Sequence, residues 1–208
     1  MVEMITFVQG PIDANNYLLI DENSKDALLI DCSSPDDDYI NEIKKLGVNL
    51  KTILLTHGHF DHILGCNRFA DEFGCDIYVS ADDLEQIAYA PQMTMVLGGV
   101  KIPEVTSVHN EVKDGDKFKI GDVELTAIST PGHTKGGMCY YTNDGRLFSG
   151  DTMFKRSVGR TDFMGGSLEQ IKHSVIEKLF KLPDDTIVYC GHGPETTIGY
   201  EKKYNEII

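Results

Sequence analysis

The sequence predicts an α/β fold in which two β-sheets pack together and helices cover both outer faces. Three observations predict it. Short strand meanders alternate with amphipathic helices, once in each half of the chain. Apolar runs of strand length end repeatedly in turns that carry Gly, His or Asp. No Pro/Ser-rich linker divides the 208 residues, so one domain spanning 1–208 is expected, long enough for a sizeable core.

The first half opens with three strand-like runs, Met4–Val8, Asn16–Ile20 and Ala27–Ile30, with a turn at Asp21-Glu22-Asn23-Ser24. Ser33-Ser34-Pro35-Asp36-Asp37-Asp38 reads as a helix start, with acidic residues placed against the unpaired N–H groups of a first turn. Tyr39, Ile40, Ile43 and Leu46 follow at helical spacing, and Gly47 ends the run. Thr52–Thr56 predicts a buried strand that runs straight into His57. Ile63, Leu64, Cys66, Phe69, Ala70 and Phe73 keep a helical rhythm up to Gly74, and Ile77–Val79 predicts another strand. Asp82–Tyr89 suits a helix. Pro91-Gln92-Met93-Thr94-Met95-Val96-Leu97-Gly98-Gly99 reads as an apolar loop between breakers, either a packed connection or a lid hinged on the glycine pair. In the second half, Phe118–Ile120, Val123–Ser129, Met138–Tyr141, Arg146–Ser149 and Thr186–Cys190 predict strands. Ser167–Phe180 predicts an amphipathic helix, capped by Ser167 with Gln170 at the third helical position.

Composition narrows the function classes. A formal net charge of −14 matches phosphate backbones and anionic membranes poorly, so neither nucleic acid nor membrane is an expected partner. The N-terminus lacks the pattern of a signal peptide, and no apolar run approaches a membrane span. The five cysteines form no Cys-x-x-Cys pair and suit a reducing, cytoplasmic setting as small buried hydrophobes.

The chemistry concentrates in a few turns. His57-Gly58-His59-Phe60-Asp61-His62 places four metal-ligand side chains in six residues, between a buried strand and a helix. Gly58 is expected to free the backbone of that turn for unusual angles. His133, Asp151 and His192 each follow an apolar strand by one to four residues, so aligned strands bring all of them to one rim. His109 and His173 lack such a context and read as structural. Imidazole and carboxylate donors suit a divalent metal site, with zinc as the first choice and iron or manganese as alternatives.

In this order and spacing, these residues resemble the metallo-β-lactamase superfamily signature over nearly the whole chain. The resemblance implies a four-layer αβ/βα sandwich with the site at the sheet edges. It implies that His57, His59 and His133 hold one metal, that Asp61, His62 and His192 hold the second, and that Asp151 bridges them. Asp61 would also orient the nucleophilic water. His at position 59, where flavodiiron reductases carry Glu, argues against that branch.

Gly150-Asp151-Thr152-Met153-Phe154, Gly159-Arg160-Thr161-Asp162-Phe163 and Gly191-His192-Gly193-Pro194-Glu195-Thr196-Thr197 resemble the single-domain glyoxalase II-like hydrolases, which cleave thioesters such as S-lactoylglutathione. That resemblance implies a small-molecule thioester or ester substrate and hydrolysis by a metal-bridged hydroxide. It makes Arg160 the candidate to bind a substrate carboxylate, against a purely structural pairing with Asp162. The C-terminal helical domain of two-domain glyoxalase II enzymes has no counterpart after His192, and Pro194 replaces their Tyr, so their glutathione contacts do not carry over. Gly159–Phe163 also resembles persulfide dioxygenase, with a single iron at positions 57, 133 and 151. A lactonase and a non-catalytic metal-binding domain are the remaining readings. Residues 91–97 are expected beside the metal rim, from the same chain or from a neighbour in an oligomer.

Overall fold

Two six-stranded sheets form the centre of the molecule in the computed structural model, which describes residues 1–98 and 102–208. The first sheet contains, in order, β1 (Val2–Gln9), β2 (Ala14–Asp21), β3 (Asp26–Ile30), β4 (Asn49–Leu54), β5 (Asp76–Val79) and β6 (Asn110–Glu111). β1 to β3 pair antiparallel, and β3 to β6 pair parallel. Parallel neighbours require long crossovers, and these carry the helices α1 (Asp37–Lys45), α2 (Phe60–Ile63), α3 (Cys66–Phe73) and α4 (Leu84–Gly98).

The second half contributes β7 (Lys117–Ile120), β8 (Val123–Ser129), β9 (Met138–Thr142), β10 (Arg146–Gly150), a separate hairpin β11 (Met153–Phe154) and β12 (Ser157–Val158), α5 (Leu168–Glu177), β13 (Ile187–Cys190), β14 (Thr196–Thr197) and α6 (Ile198–Tyr204). The second sheet runs β14-β13-β10-β9-β8-β7.

Three apolar cores make the layers. Leu18, Ile20, Leu29 and Ile53 of the first sheet pack against Tyr39, Ile43, Phe69 and Ile87 of its helices. Tyr17, Leu19, Ile30 and Leu54 turn the other way and meet Leu125, Tyr140 and Phe148 of the second sheet. Leu147 and Val188 face outward to Val175 of α5 and Ile198 of α6. β2 is buried along its whole length, with alternate residues serving two different cores. The result is the four-layer αβ/βα sandwich that the strand–helix rhythm predicts.

The expected loop from Pro91 is instead helix. α4 runs through Pro91 as far as Gly98. An internal proline removes one backbone hydrogen bond and costs about 3 kcal/mol. Burial of Ile87, Ala90 and Met93 on one side of the helix offsets this. Gly99, half of the expected hinge, lies outside the described residues. The run from Ile63 to Phe73 is two helices, α2 and α3, and Gly74 ends the second in the left-handed conformation. Ser167 caps α5 by accepting from the Gln170 N–H. β6, β11, β12, β14 and α6 have no counterpart among the sequence-based expectations. All five cysteines are buried thiols.

Candidate metal centre

Strand direction gathers the site. β8 and β10 both run antiparallel to β9, and β13 runs parallel to β10. Their C-terminal ends therefore share one edge of the second sheet, and the turns after them carry His133, Asp151 and His192. The end of β4 reaches the same edge from the first sheet. Thr56 O accepts from Met138 N at 2.7 Å and Leu55 O accepts from Tyr140 Oη at 2.7 Å. On the far side, Asn15 Nδ2 donates to Cys190 O and Gly193 O, and Tyr17 Oη donates to Cys190 O, which fixes the turn of His192.

All seven sequence-predicted ligands meet there. Donor atoms of His57, His59 and His133 lie within 4.8 Å of one another; so do those of Asp61, His62 and His192. His57, His62 and Asp151 form a third group that joins the two. Asp151 spans the lobes: Oδ2 is 3.4 Å from His133 Nε2 and 3.8 Å from His192 Nε2, and Oδ1 is 3.5 Å from His62 Nε2. His109 and His173 stand apart from these groups, as expected.

Outer hydrogen bonds orient the rings. His133 Nδ1 donates to the Arg160 carbonyl at 2.7 Å and His192 Nδ1 to the Asp13 carbonyl at 3.3 Å. His62 Nδ1 sits 2.8 Å from Asp31 Oδ2. Thr56 Oγ1 gives its hydrogen to Asp31 and so accepts from His57 Nδ1. Each arrangement turns an Nε2 lone pair toward the centre, the usual function of such outer contacts. His59 is the reverse case, with Nδ1 inward, 2.8 Å from His133 Nε2.

The residues fit a pair of cations. His57 Nε2 and Asp151 Oδ1 are buried, point into the cluster and have no hydrogen-bond partner. Buried acceptors left this way are costly, and a divalent ion satisfies both.

The two lobes differ electrostatically. Burial, then the neighbouring imidazoles, pushes His57 well below the usual histidine range and His59 down to about 3. Burial also opposes charge on His62, but Asp61, Asp31 and Asp151 outweigh it and raise that ring. His192 is raised in the same way, by its hydrogen bond to Asp61 and by Asp151 against burial. Asp61 is held far below the usual carboxylate range: burial opposes this, but His62 and the His192 bond prevail.

Sequence reading missed the supports. Asp31 accepts Thr56 N, Thr56 Oγ1 and His62 Nδ1. Its signal was available, since it directly follows the apolar run Ala27–Ile30 as Asp151 follows β10. Asp83, 1% exposed, accepts from Gly58 N, Thr134 Oγ1 and Gly136 N, and so ties the His57–His59 turn to the His133 turn. Nothing in the sequence marks it. Gly58 is also corrected: its backbone is not in the left-handed region, and a Cβ there would lie 2.9 Å from Asp83 O. Close approach, not an unusual angle, calls for glycine.

The centre opens into a cavity of about 430 Å³ lined by five of the seven candidate donors, His59, Asp61, His133, Asp151 and His192, with Ile12, Phe60, Met93, Phe154, Arg160 and Phe163 around them. Met93 thus stands beside the metal rim, whereas Met95 is half exposed. Arg160 lines the cavity with its guanidinium 3.7 Å from the Phe163 ring centroid, and donates two bonds to Asp162 at 2.8 and 2.7 Å.

A four-layer sandwich with a His/Asp metal cluster at its sheet edge defines a class of metal-dependent proteins. The family model described as "Metallo-beta-lactamase superfamily" matches residues 10–192, and the chain belongs to that superfamily. Hydroxyacylglutathione hydrolase GloC of Haemophilus influenzae is 33% identical over 195 residues, covering 93% of this chain and 92% of that protein. The crystal structure of BLEG-1 B3 metallo-beta-lactamase superposes with a TM-score of 0.90 at 32% identity, covering 98% of both chains. TTHA1623, solved in a di-iron-bound form, gives 0.86 at 29% identity, covering 98% of this chain and all of that one, 100%. The three names differ in what they state: one gives a hydroxyacylglutathione hydrolase, one a metallo-beta-lactamase, and one a di-iron form.

Proposed function

We propose that the chain is a two-metal hydrolase of thioesters of the S-lactoylglutathione type. One observation carries the reading: two complete donor groups share Asp151 at the floor of one cavity. By position and donor atom, His57, His59 and His133 hold the first ion, Asp61, His62 and His192 the second, and Asp151 both. Zinc suits the donors; iron is the alternative that the di-iron form of TTHA1623 supports. The ions, when bound, supply a water of lowered pKa and polarise the substrate carbonyl.

The chain's own residues do the rest. Asp61 stays ionised and accepts a hydrogen bond from the attacking water, which orients it. Asp31 holds the His62 ring and the Arg160 carbonyl holds His133, so the donors keep their aim during turnover. Arg160 can exchange its exposed partner Asp162 for a substrate carboxylate, because solvent screens such surface pairs and leaves them weak. The cavity lining, among the described residues, includes no Lys, Tyr or Cys to protonate a leaving group. A thiolate leaves without a proton donor, whereas an amine does not, and this favours a thioester over an amide. The GloC likeness points the same way.

The test is a screen of zinc-loaded protein against S-lactoylglutathione, other thioesters, lactones and a β-lactam, with elemental analysis of the same sample. Two metals per chain and fastest turnover of thioesters are expected. A ceiling of one metal, with oxygen consumed on glutathione persulfide by iron-loaded protein, would replace this reading with the dioxygenase.

A further inference from the structure

A second cavity, of about 550 Å³, opens beside the metal cavity, and Ile12 and Phe60 line both. Phe60 stands in sequence between the donors His59 and Asp61, so the shared wall begins at the metal cluster itself. Beyond it the walls are Pro11, Leu64, Thr94 and Ile102. Each hydroxyl there already makes one hydrogen bond: Ser33 Oγ accepts from Asn16, Ser34 Oγ accepts from Asp36 N, and Thr94 Oγ1 donates to Pro91 O, which leaves the two serines a hydrogen each to donate. Among the described lining residues there is no Lys or Arg, and the one ionisable group is the carboxylate of Asp36.

With no cation in the described lining and one carboxylate, this chemistry disfavours an anion and offers a polar ligand little beyond two serine hydroxyls. It suits a neutral apolar group, reached from the metal centre across Ile12, whose side chain is 53% exposed at the boundary. Among the described residues that line the two cavities, the one guanidinium is that of Arg160, which lines the metal cavity and not this one. We propose that this second cavity is a subsite for the neutral, apolar arm of the substrate, so that the preferred thioesters carry an aliphatic chain on one side of the scissile bond. The proposal rests on the hydrolase reading above for the placement of that bond.

Linear acyl hydroxamates, from acetyl to octanoyl, test it by binding alone, since the hydroxamate chelates the metals and the chain probes the cavity. Calorimetry on zinc-loaded protein should show Kd falling by about fourfold per added CH2, the equivalent of ~0.8 kcal/mol of burial, until the cavity is filled. Leu64→Arg and Ile102→Glu, each placing a charge in the cavity, should both flatten that series. Both positions are partly exposed, and metal content and circular dichroism report whether each variant folds; if one does not, the other decides. A flat series in the unaltered protein, or a slope that survives in the folded variants, overturns the subsite. Turnover of S-lactoylglutathione and of an octanoyl thioester is measured on the same samples. No turnover with the slope intact overturns the hydrolase reading and leaves the subsite standing; turnover with a flat series overturns only the subsite.

Discussion

The His57/His59/His133 lobe and the Asp61/His62/His192 lobe lie side by side and are built on opposite principles. The first is three imidazoles, of which burial and the neighbouring rings hold His57 well below the usual range and His59 down to about 3. The second sets its two imidazoles among the carboxylates of Asp61, Asp151 and, behind His62, Asp31, which raise them. A cation entering the first lobe meets His57 and His59 already neutral. A cation entering the second meets more negative charge but must compete with protons. The comparison teaches that one cavity can hold two sites of unequal selectivity, with Asp151 common to both.

The largest expected effect falls on the second lobe. Asp61→Ala should lower thioester turnover by roughly 10²-fold or more, the scale of a lost acid–base group. Near-normal turnover with both metals retained would break the assignment of nucleophile orientation to this lobe.

Asp83→Ala tests the first lobe. It leaves Gly58 N, Gly136 N and Thr134 Oγ1 without their common acceptor, and should weaken metal binding there by about 10–100-fold, as loss of an outer-shell support does. Asp83→Asn keeps an acceptor and should recover part of the affinity. Equal weakening of both lobes, read by chelator competition, would erase the distinction.

Acidification should empty the lobes unequally. Protons held by His62 and His192 must leave when metal binds, so metal content should fall from two per chain toward one as pH falls through the raised values of these two rings, with the first lobe retained. Parallel loss of both metals counts against the contrast. In the metal-free protein the signs are opposite. His59, lowered from 6.5 to about 3, contributes stability that is present above 6.5 and lost as pH falls toward 3. His62, raised, contributes stability present below 6.5 and lost as pH rises through its folded value.

The smallest effect is at the rim. Arg160→Ala should raise KM several-fold for anionic thioesters and little for neutral ones, in keeping with one exposed ion pair. Equal changes for both substrates would make Arg160 structural, a partner of Asp162 and Phe163 alone.

How far each feature could be read from the chain depends on how local its cause is. The sandwich was legible because alternation within a strand and helical spacing are properties of a few consecutive residues. The candidate donors were legible for a similar reason: His57, His133, Asp151 and His192 each follow an apolar run closely, and strand direction converts that offset into a shared edge. The end of α4 was misread because Pro91 and the glycines are local breakers, while the burial of Ile87, Ala90 and Met93 that overrides them is tertiary. β6 and β14 span only two residues each, too few to show a period, and exist because a longer neighbour offers a free edge.

By itself, then, the sequence determined the class of fold, the donor set and its order. Only the tertiary structure decided that Asp31 holds His62 from 31 residues away, that Asp83 reaches Gly136 across 53, and that an apolar cavity adjoins the metal centre. Hydrogen bonds and cavities of this kind join residues that no spacing rule connects, because the free energy that places them is the packing of two sheets and their helices, not the conformation of any one segment.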